Sequence, residues 1–535
     1  MSRLLTILSV LFLGSLICSC QEHTRAQPGN TESSTSYNEQ HRSQFHFSPA
    51  AKWMNDPNGM FFYAGEYHLF YQYCPDTTVW GPMHWGHAVS TDLVHWQHLP
   101  IALYPDSLGM IFSGSAVVDW KNTSGFGKNA QPPIIAIFTH HDMAGEKAGR
   151  KNYQYQSIAY SNDRGRSWTK YKGNPVVPNP GNIRDFRDPK VIWDDASNQW
   201  VMVFAAFDHV KIWGSKDLKN WQHLSDWGKE YGAHEGVWEC PDLFPIPVEG
   251  SSEKKWVLLQ SLNPGGPNGG SGTQYFVGDF DGKKFTLDPD FEPFVKKGNA
   301  VWLDAGRDNY AGVTWSDVPK EDGRRLYIGW MSNWDYATIV PTETWRSATT
   351  LPRSLILKKT GEGYRIFSQP VKELEALRSA AKKIEKADIA ASLDLTQQLG
   401  FSPAQSELVL DFETGDAAAN FGVELSNRKG EKYRIGYDAA TNQFYSDRTQ
   451  SGNLAFSKKF GPKIHTAPRI SEAKNIRFHL FFDAASAELF ADGGANVMTD
   501  IFFPGEDFSQ VKIYSENGKV KLLNGEAYSL KSIWK

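Results

Sequence analysis

The sequence predicts an all-β protein, a five-bladed β-propeller followed by a β-sandwich. Three observations carry this expectation. Strand-like runs ending in one recurring turn fill most of the first two thirds of the 535 residues. A single stretch of helical character interrupts them, over 371–384. Beyond it, short apolar runs with period-two alternation resume, separated by Gly and Asn turns.

The chain begins with a targeting segment. Arg3 supplies a positive start, and 4–17 is an apolar run too short to span a bilayer. Ile17, Cys18, Ser19 and Cys20 follow and resemble a bacterial lipobox. Residues 1–20 are therefore expected to be a lipoprotein signal peptide. Cys20, preceded by the small Ser19, is the expected lipidation site. An ordinary signal peptide with incidental cysteines is the alternative. Residues 21–44 are rich in Ser, Thr, Asn and Gln and read as a disordered tether. The expected location is that of an exported lipoprotein, periplasmic or on the cell surface, touching the membrane through the lipid alone.

Residues 45–368 hold the recurring turn. Ser90, Asp92 and Trp96 return as Ser161, Asp163 and Trp168, then as Ser215, Asp217 and Trp221, and more loosely over 279–285 with Asp281 and Phe285. Hairpins at a period of roughly 60 residues suggest blades of about four strands, about five of them in this length. A double-layer β-sandwich competes for the same hairpins. Residues 369–392 read as a linker helix, because Ala, Leu, Glu and Lys recur at helical spacing after Pro370. Residues 393–535 read as a second all-β domain, a sandwich.

Composition narrows the partners. The formal net charge is −4, with no basic excess to displace counterions from a phosphate backbone, so nucleic acid is not an expected partner. Aromatic residues make up 13%, including 19 Trp, and such rings offer flat faces suited to sugars as well as to sheet cores. His84, His87, His140 and His141 lack a metal-ligand pattern, so no metal and no cofactor is expected. Beyond the leader only Cys74 and Cys240 remain. Their spacing does not decide a disulfide, and two buried free thiols are the expectation.

Three acids stand in unusual settings: Asp56 in Asn55-Asp56-Pro57-Asn58-Gly59, Asp188 in Arg187-Asp188-Pro189, and Glu239 in Glu239-Cys240-Pro241-Asp242. Each alone also fits a turn or a strand end. They fall on different blades, however, and the innermost strands of a propeller converge on one axis, where such acids can meet.

These stretches resemble glycoside hydrolase family 32, the invertase, inulinase and levanase family. So do Phe70-Tyr71-Gln72-Tyr73, Trp80-Gly81-Pro82, Phe112-Ser113-Gly114, Trp330-Met331-Ser332-Asn333-Trp334, Trp345-Arg346-Ser347 and Asp447-Arg448-Thr449. The resemblance implies a five-bladed propeller joined to a sandwich, and retaining hydrolysis of β-fructofuranosides. It implies Asp56 as nucleophile, Asp188 as transition-state stabiliser and Glu239 as acid/base. It also implies Asn55, Gln72, Trp80, Phe112, Ser113, Arg187, Trp330 and Trp334 around a terminal fructose. The run from Trp330 to Ala337 looks more like exo-acting levanases and inulinases than endo-enzymes. An endo-levanase and a non-catalytic fructan-binding lipoprotein are the alternatives. For this chemistry Glu239 is expected to hold a proton while Asp56 stays ionised.

Overall fold

The computed structural model describes residues 37–414 and 418–534. Cys20 and the tether over 21–36 lie outside the described residues. The protein is all-β, with 50% strand and 5% helix.

Residues 52–370 build five antiparallel sheets in chain order. The first sheet holds β1 (Lys52–Tyr63), β2 (Glu66–Cys74), β3 (His84–Ser90) and β4 (Gln97–Leu103). The second holds β5 (Met110–Val118), β6 (Ile134–His141), β7 (Gln154–Ser161) and β8 (Thr169–Lys170), with a one-turn helix, α1 (Met143–Lys147), after β6. The third holds β9 (Phe186–Asp194), β10 (Gln199–Ala206), β11 (Val210–Ser215) and β12 (Trp221–Trp227). The fourth holds β13 (Val237–Pro247), β14 (Lys254–Asn263), β15 (Gly272–Phe280) and β16 (Phe285–Leu287). The fifth holds β17 (Tyr310–Thr314), β18 (Arg325–Met331), β20 (Ala348–Thr349), β21 (Arg353–Thr360) and β22 (Gly363–Pro370), while β19 (Trp345–Arg346) pairs in parallel with β1. The first strands β1, β5, β9 and β13 pack on one another in sequence, β13 packs on β17, and β17 returns to β1.

The recurring turn joins the third strand of a sheet to the fourth, and its chemistry is local. Asp92 Oδ1 accepts from the N–H groups of Val94 and His95, and the Trp96 indole N–H donates to the Leu93 carbonyl. Asp217 and Trp221 repeat both bonds, and Asp163 and Trp168 make the same kind. In the fourth sheet Asp281 accepts from Lys283 and Lys284. A side chain that caps its own turn fixes the hairpin before any distant contact forms.

The expected linker helix is not there. Over 371–384 the chain makes a short 3₁₀ helix, Lys372–Leu377, and then a strand, Lys382–Ile384. That strand and Ala387–Ile389 both pair with the strand Val520–Ser529. Open backbone groups on a sheet edge, together with burial of Ile384 and Ile389, outweigh a weak helix propensity. These three strands and the others after residue 381 form a seven-stranded and a six-stranded sheet. These face each other across Phe412, Phe421 and Phe478, with Phe412 and Phe421 ring centroids 5.1 Å apart. The expected tether also ends earlier than 44. Arg42 is fully buried, bonded to Glu39, Ser48 and the Pro49 carbonyl, with its guanidinium 4.2 Å from the Trp345 ring centroid.

Candidate active site

Each first strand slips register near its start. The slip falls between Asn55 and Pro57 in β1, between Ile111 and Gly114 in β5, between Glu239 and Asp242 in β13, and between Tyr310 and Val313 in β17. In β9 it falls between Arg187 and Lys190. These are β-bulges, which leave one residue unpaired and re-aim its side chain. Three of them end in Pro57, Pro189 or Pro241, residues with no N–H to give the ladder. Asp56 (φ 24°), Asp188 (φ 66°), Cys240 (φ 47°) and Ala311 (φ 52°) take left-handed backbone there. Such strain persists only where the surrounding fold enforces it, and it concentrates at functional sites.

The bulges bring Asp56, Asp188 and Glu239 to one pocket of about 760 Å³, counting its open mouth. Asn55, Gln72, Trp80, Phe112, Ser113, Arg187 and Trp334 line it too. Asn55 and Gln72 face each other across β1 and β2. Trp80 meets Phe112 edge to face with ring centroids 6.1 Å apart. Trp330 does not reach the pocket. It lies on β18 opposite Tyr310 and Thr349, fully buried, with its ring 6.1 Å from Trp53 and 5.0 Å from Trp334. A strand residue must point to one face, and this one points into the core. Trp334 follows after the strand has ended, where the loop is free to turn its ring to the wall.

Arg187 is the hub. Its guanidinium donates to Glu239 Oε1 at 2.9 and 3.2 Å and to Asp185 Oδ1 at 2.5 Å, and sits 3.8 Å from Asp188. The Tyr310 hydroxyl donates to the other Glu239 oxygen. Asp188 Oδ2 accepts from the Cys240 N–H at 3.0 Å, so the bulge beside Glu239 also fixes Asp188. Asp56 has less support, all of it neutral: Ser113 Oγ reaches Oδ2 at 3.4 Å, and the Asn55 side chain also favours its charged form.

The charges follow from this. Burial, then the negative charges of Glu239 and Asp188, push the Asp56 carboxyl up to about 8. Burial also lifts Asp188, to about 6, although Arg187 opposes it. Against the cost of burial, Arg187 and Arg184 hold Asp185 below the usual carboxylate range. Glu239 has Arg187 and Tyr310, and the group short of partners is Asp56.

Sequence reasoning missed several wall residues. His141, Glu146, Gln154 and Asp185 line the pocket. His141 Nε2 lies 3.0 Å from Glu146, its Nδ1 lies 3.1 Å from Gln154, and its ring stacks on Phe112 at 4.3 Å. Trp53 donates its indole N–H to Asn55 Oδ1 at 2.7 Å. Asp185 carried a signal, standing two residues before Arg187 among alternating charges. Glu146, on a one-turn helix outside every motif, carried none.

Carboxyl groups within one another's fields at the floor of a sugar-sized hollow, with an arginine among them and aromatic rings on the wall, define a glycosidase. The chain belongs to glycosyl hydrolases family 32: the family's N-terminal domain matches residues 46–370 and its C-terminal domain residues 373–529. It is 48% identical to a levanase of Bacillus subtilis over 514 residues, covering 96% of this chain and 73% of that one. It is 38% identical to an extracellular exo-inulinase of Aspergillus niger over 523 residues, covering 93% and 96% of the two chains. Among solved structures, exo-inulinase from Aspergillus awamori superposes with a TM-score of 0.86 at 36% identity, covering 93% of this chain and 100% of that one. Fructofuranosidase from Schwanniomyces occidentalis, complexed with fructose, superposes at 0.79 with 33% identity, covering 93% and 100%.

Proposed function

We propose that the protein is an exo-acting fructan β-fructosidase, a retaining hydrolase that frees terminal fructose from levan, inulin, fructo-oligosaccharides and sucrose. The observation that carries this is the meeting of Asp56, Asp188 and Glu239 in one pocket, each on its own bulged strand. The likeness to a levanase and an exo-inulinase along nearly the whole chain supports the substrate class.

In this reading Asp56 attacks the anomeric carbon of the terminal fructosyl unit. Glu239 gives its proton to the glycosidic oxygen as that bond breaks, and the free sugar or shortened chain leaves. A covalent fructosyl-Asp56 ester remains. With the charge of Asp56 consumed, Glu239 takes a proton from water, and the resulting hydroxide displaces Asp56 and completes release of fructose. Asp188, ionised beside Arg187, accepts hydrogen bonds from sugar hydroxyls that tighten as positive charge builds on the ring. The Asp56 carboxyl, raised to about 8, favours its protonated form near neutral pH. A bound sugar donates hydroxyls to Asp56, which favours the ionised form that attacks, and brings the glycosidic oxygen to Glu239. Asn55, Gln72, Trp80, Phe112, Ser113 and Trp334 hold the terminal fructose.

The five sheets read as propeller blades, because their first strands pack in a closed order. Export and anchoring at Cys20 complete the proposal; Cys20→Ser should move the protein from the membrane to the soluble fraction and abolish radiolabelling by fatty acid. The activity is tested by digesting inulin, levan and sucrose in parallel and resolving products over time. Free fructose as the sole early product from the polysaccharides is expected. An early ladder of oligosaccharides would make the enzyme endo-acting, and fructan binding without any sugar release would end the hydrolase reading.

A further inference from the structure

Bonded through its backbone to the residue before Glu239 stands a side chain that neither the sheet nor the carboxylates account for. Phe207 follows the last residue of β10, in the turn leading to β11. Its ring is left 46% exposed. Its backbone is left-handed, with φ 65°, an uncommon and costly conformation for a bulky residue. Two backbone bonds enforce it. The Phe207 N–H donates to the Asp185 carbonyl at 3.0 Å, and its own carbonyl accepts from the Trp238 N–H at 2.7 Å. Phe207 is therefore clamped between a residue of the pocket wall and the residue that precedes Glu239.

The ring also has an organised neighbour. The Arg184 guanidinium lies 5.4 Å from its centroid and is tied to Asp185 Oδ2 at 2.5 Å. Arg184 is itself more than half exposed. An apolar face whose backbone is bonded to a wall residue and to the neighbour of Glu239, next to a solvent-facing fork of donors, matches a neutral sugar ring, which has a C–H face and a hydroxyl edge.

Direction follows from the chemistry. If Glu239 protonates the bridging oxygen, the unit beyond that oxygen departs on the Glu239 side. Asn55, Gln72, Phe112 and Ser113 stand on the first two sheets. Phe207 belongs to the third, against the strand of the fourth that carries Glu239. We infer that Phe207 is the platform for the leaving sugar, its ring taking the C–H face of the first unit past the scissile bond, with Arg184 meeting the hydroxyls of that unit. This rests on the hydrolase reading of the site.

The test compares wild type with Phe207→Gly, which removes the ring and suits the left-handed backbone, so the fold is not put at risk. Phe207→Tyr keeps a flat face. The probes are sucrose, a fructan trisaccharide, and methyl β-D-fructofuranoside, whose leaving group has no ring to stack. For Phe207→Gly, kcat/KM on sucrose and the trisaccharide should fall about 5–10-fold more than on the methyl glycoside, the scale of one aromatic contact. Phe207→Tyr should stay within about twofold of wild type on all three. An equal loss on all three probes, or no loss on any, overturns the inference while leaving the hydrolase intact. A wild type that frees no fructose from any probe overturns the hydrolase reading instead.

Discussion

Two sets of buried carboxyl groups in this molecule meet opposite treatment. At the contact between the β-sandwich and the five sheets, Glu488 is fully buried and fully matched. It accepts from Arg353 at 2.6 Å, from His46 at 2.9 Å and from the Leu351 N–H at 2.7 Å. Against the cost of burial, Arg353 and His46 hold it below the usual range. Asp56 in the pocket is half-buried, and its support comes from neutral side chains alone, Ser113 Oγ at 3.4 Å and Asn55. Burying a charge costs several kcal/mol unless it is paired. The interface meets that cost with cations and is a fastener. The pocket leaves it standing, and the instability there is what a sugar and a developing positive charge can relieve. A carboxylate's partners separate a structural acid from a reactive one.

The comparison can be broken most severely at Asp56. Asp56→Asn should lower turnover by at least about 10⁴-fold, since the covalent route is lost. The same change should not destabilise the fold. The folded carboxyl, raised to about 8, keeps its proton over a range where the unfolded one, at 3.8, has lost it. Wild-type stability therefore falls as pH climbs from about 4 to about 8. Asparagine lacks this term, so the variant's Tm should overtake that of wild type progressively across this window. A Tm that drops at every pH would contradict the claim that Asp56 is under-satisfied.

Glu488→Gln should do the reverse. Removing one partner of a buried pair costs about 3–5 kcal/mol, seen as a lower Tm, with kcat/KM of the folded variant near wild type. The pH signature also differs. Glu488, lowered from 4.5, contributes stability above that value that is lost as pH falls through its folded value. His46, pushed up to about 9 against burial by Asp483 and Glu488, contributes stability that is complete below 6.5 and lost as pH rises through about 9. The wild-type fastener should be strongest between these limits, and a flat Tm across them would count against it.

The smallest effect is expected at Tyr310, which positions Glu239 without touching substrate. Tyr310→Phe should lower kcat about tenfold with KM little changed, the loss of one buried hydrogen bond. It should also displace the pH–rate profile, which a packing change alone would not do. An unmoved profile would assign Tyr310 to the core.

The turns were legible in the sequence because their bonds are local. Asp92, Asp163, Asp217 and Asp281 each bond within a few residues, so the repeat marks four of the five sheets. The acids were legible because a bulge with proline after it leaves a short motif. Trp330 and Trp334 were both expected at the sugar, because only the end of β18 decides which ring is released from the core. The stretch 382–389 was misread because its partner lies over a hundred residues away.

The amino-acid sequence by itself determined the hairpins, the bulge-and-proline motifs and the kinds of residue available for chemistry, since each depends on near neighbours along the chain. The tertiary structure alone decided which carboxyl goes unmatched, which rings reach the pocket and where the second sheet pair finds its edge strands. Those outcomes depend on burial and on charges from distant segments, and neither exists until the chain has closed on itself.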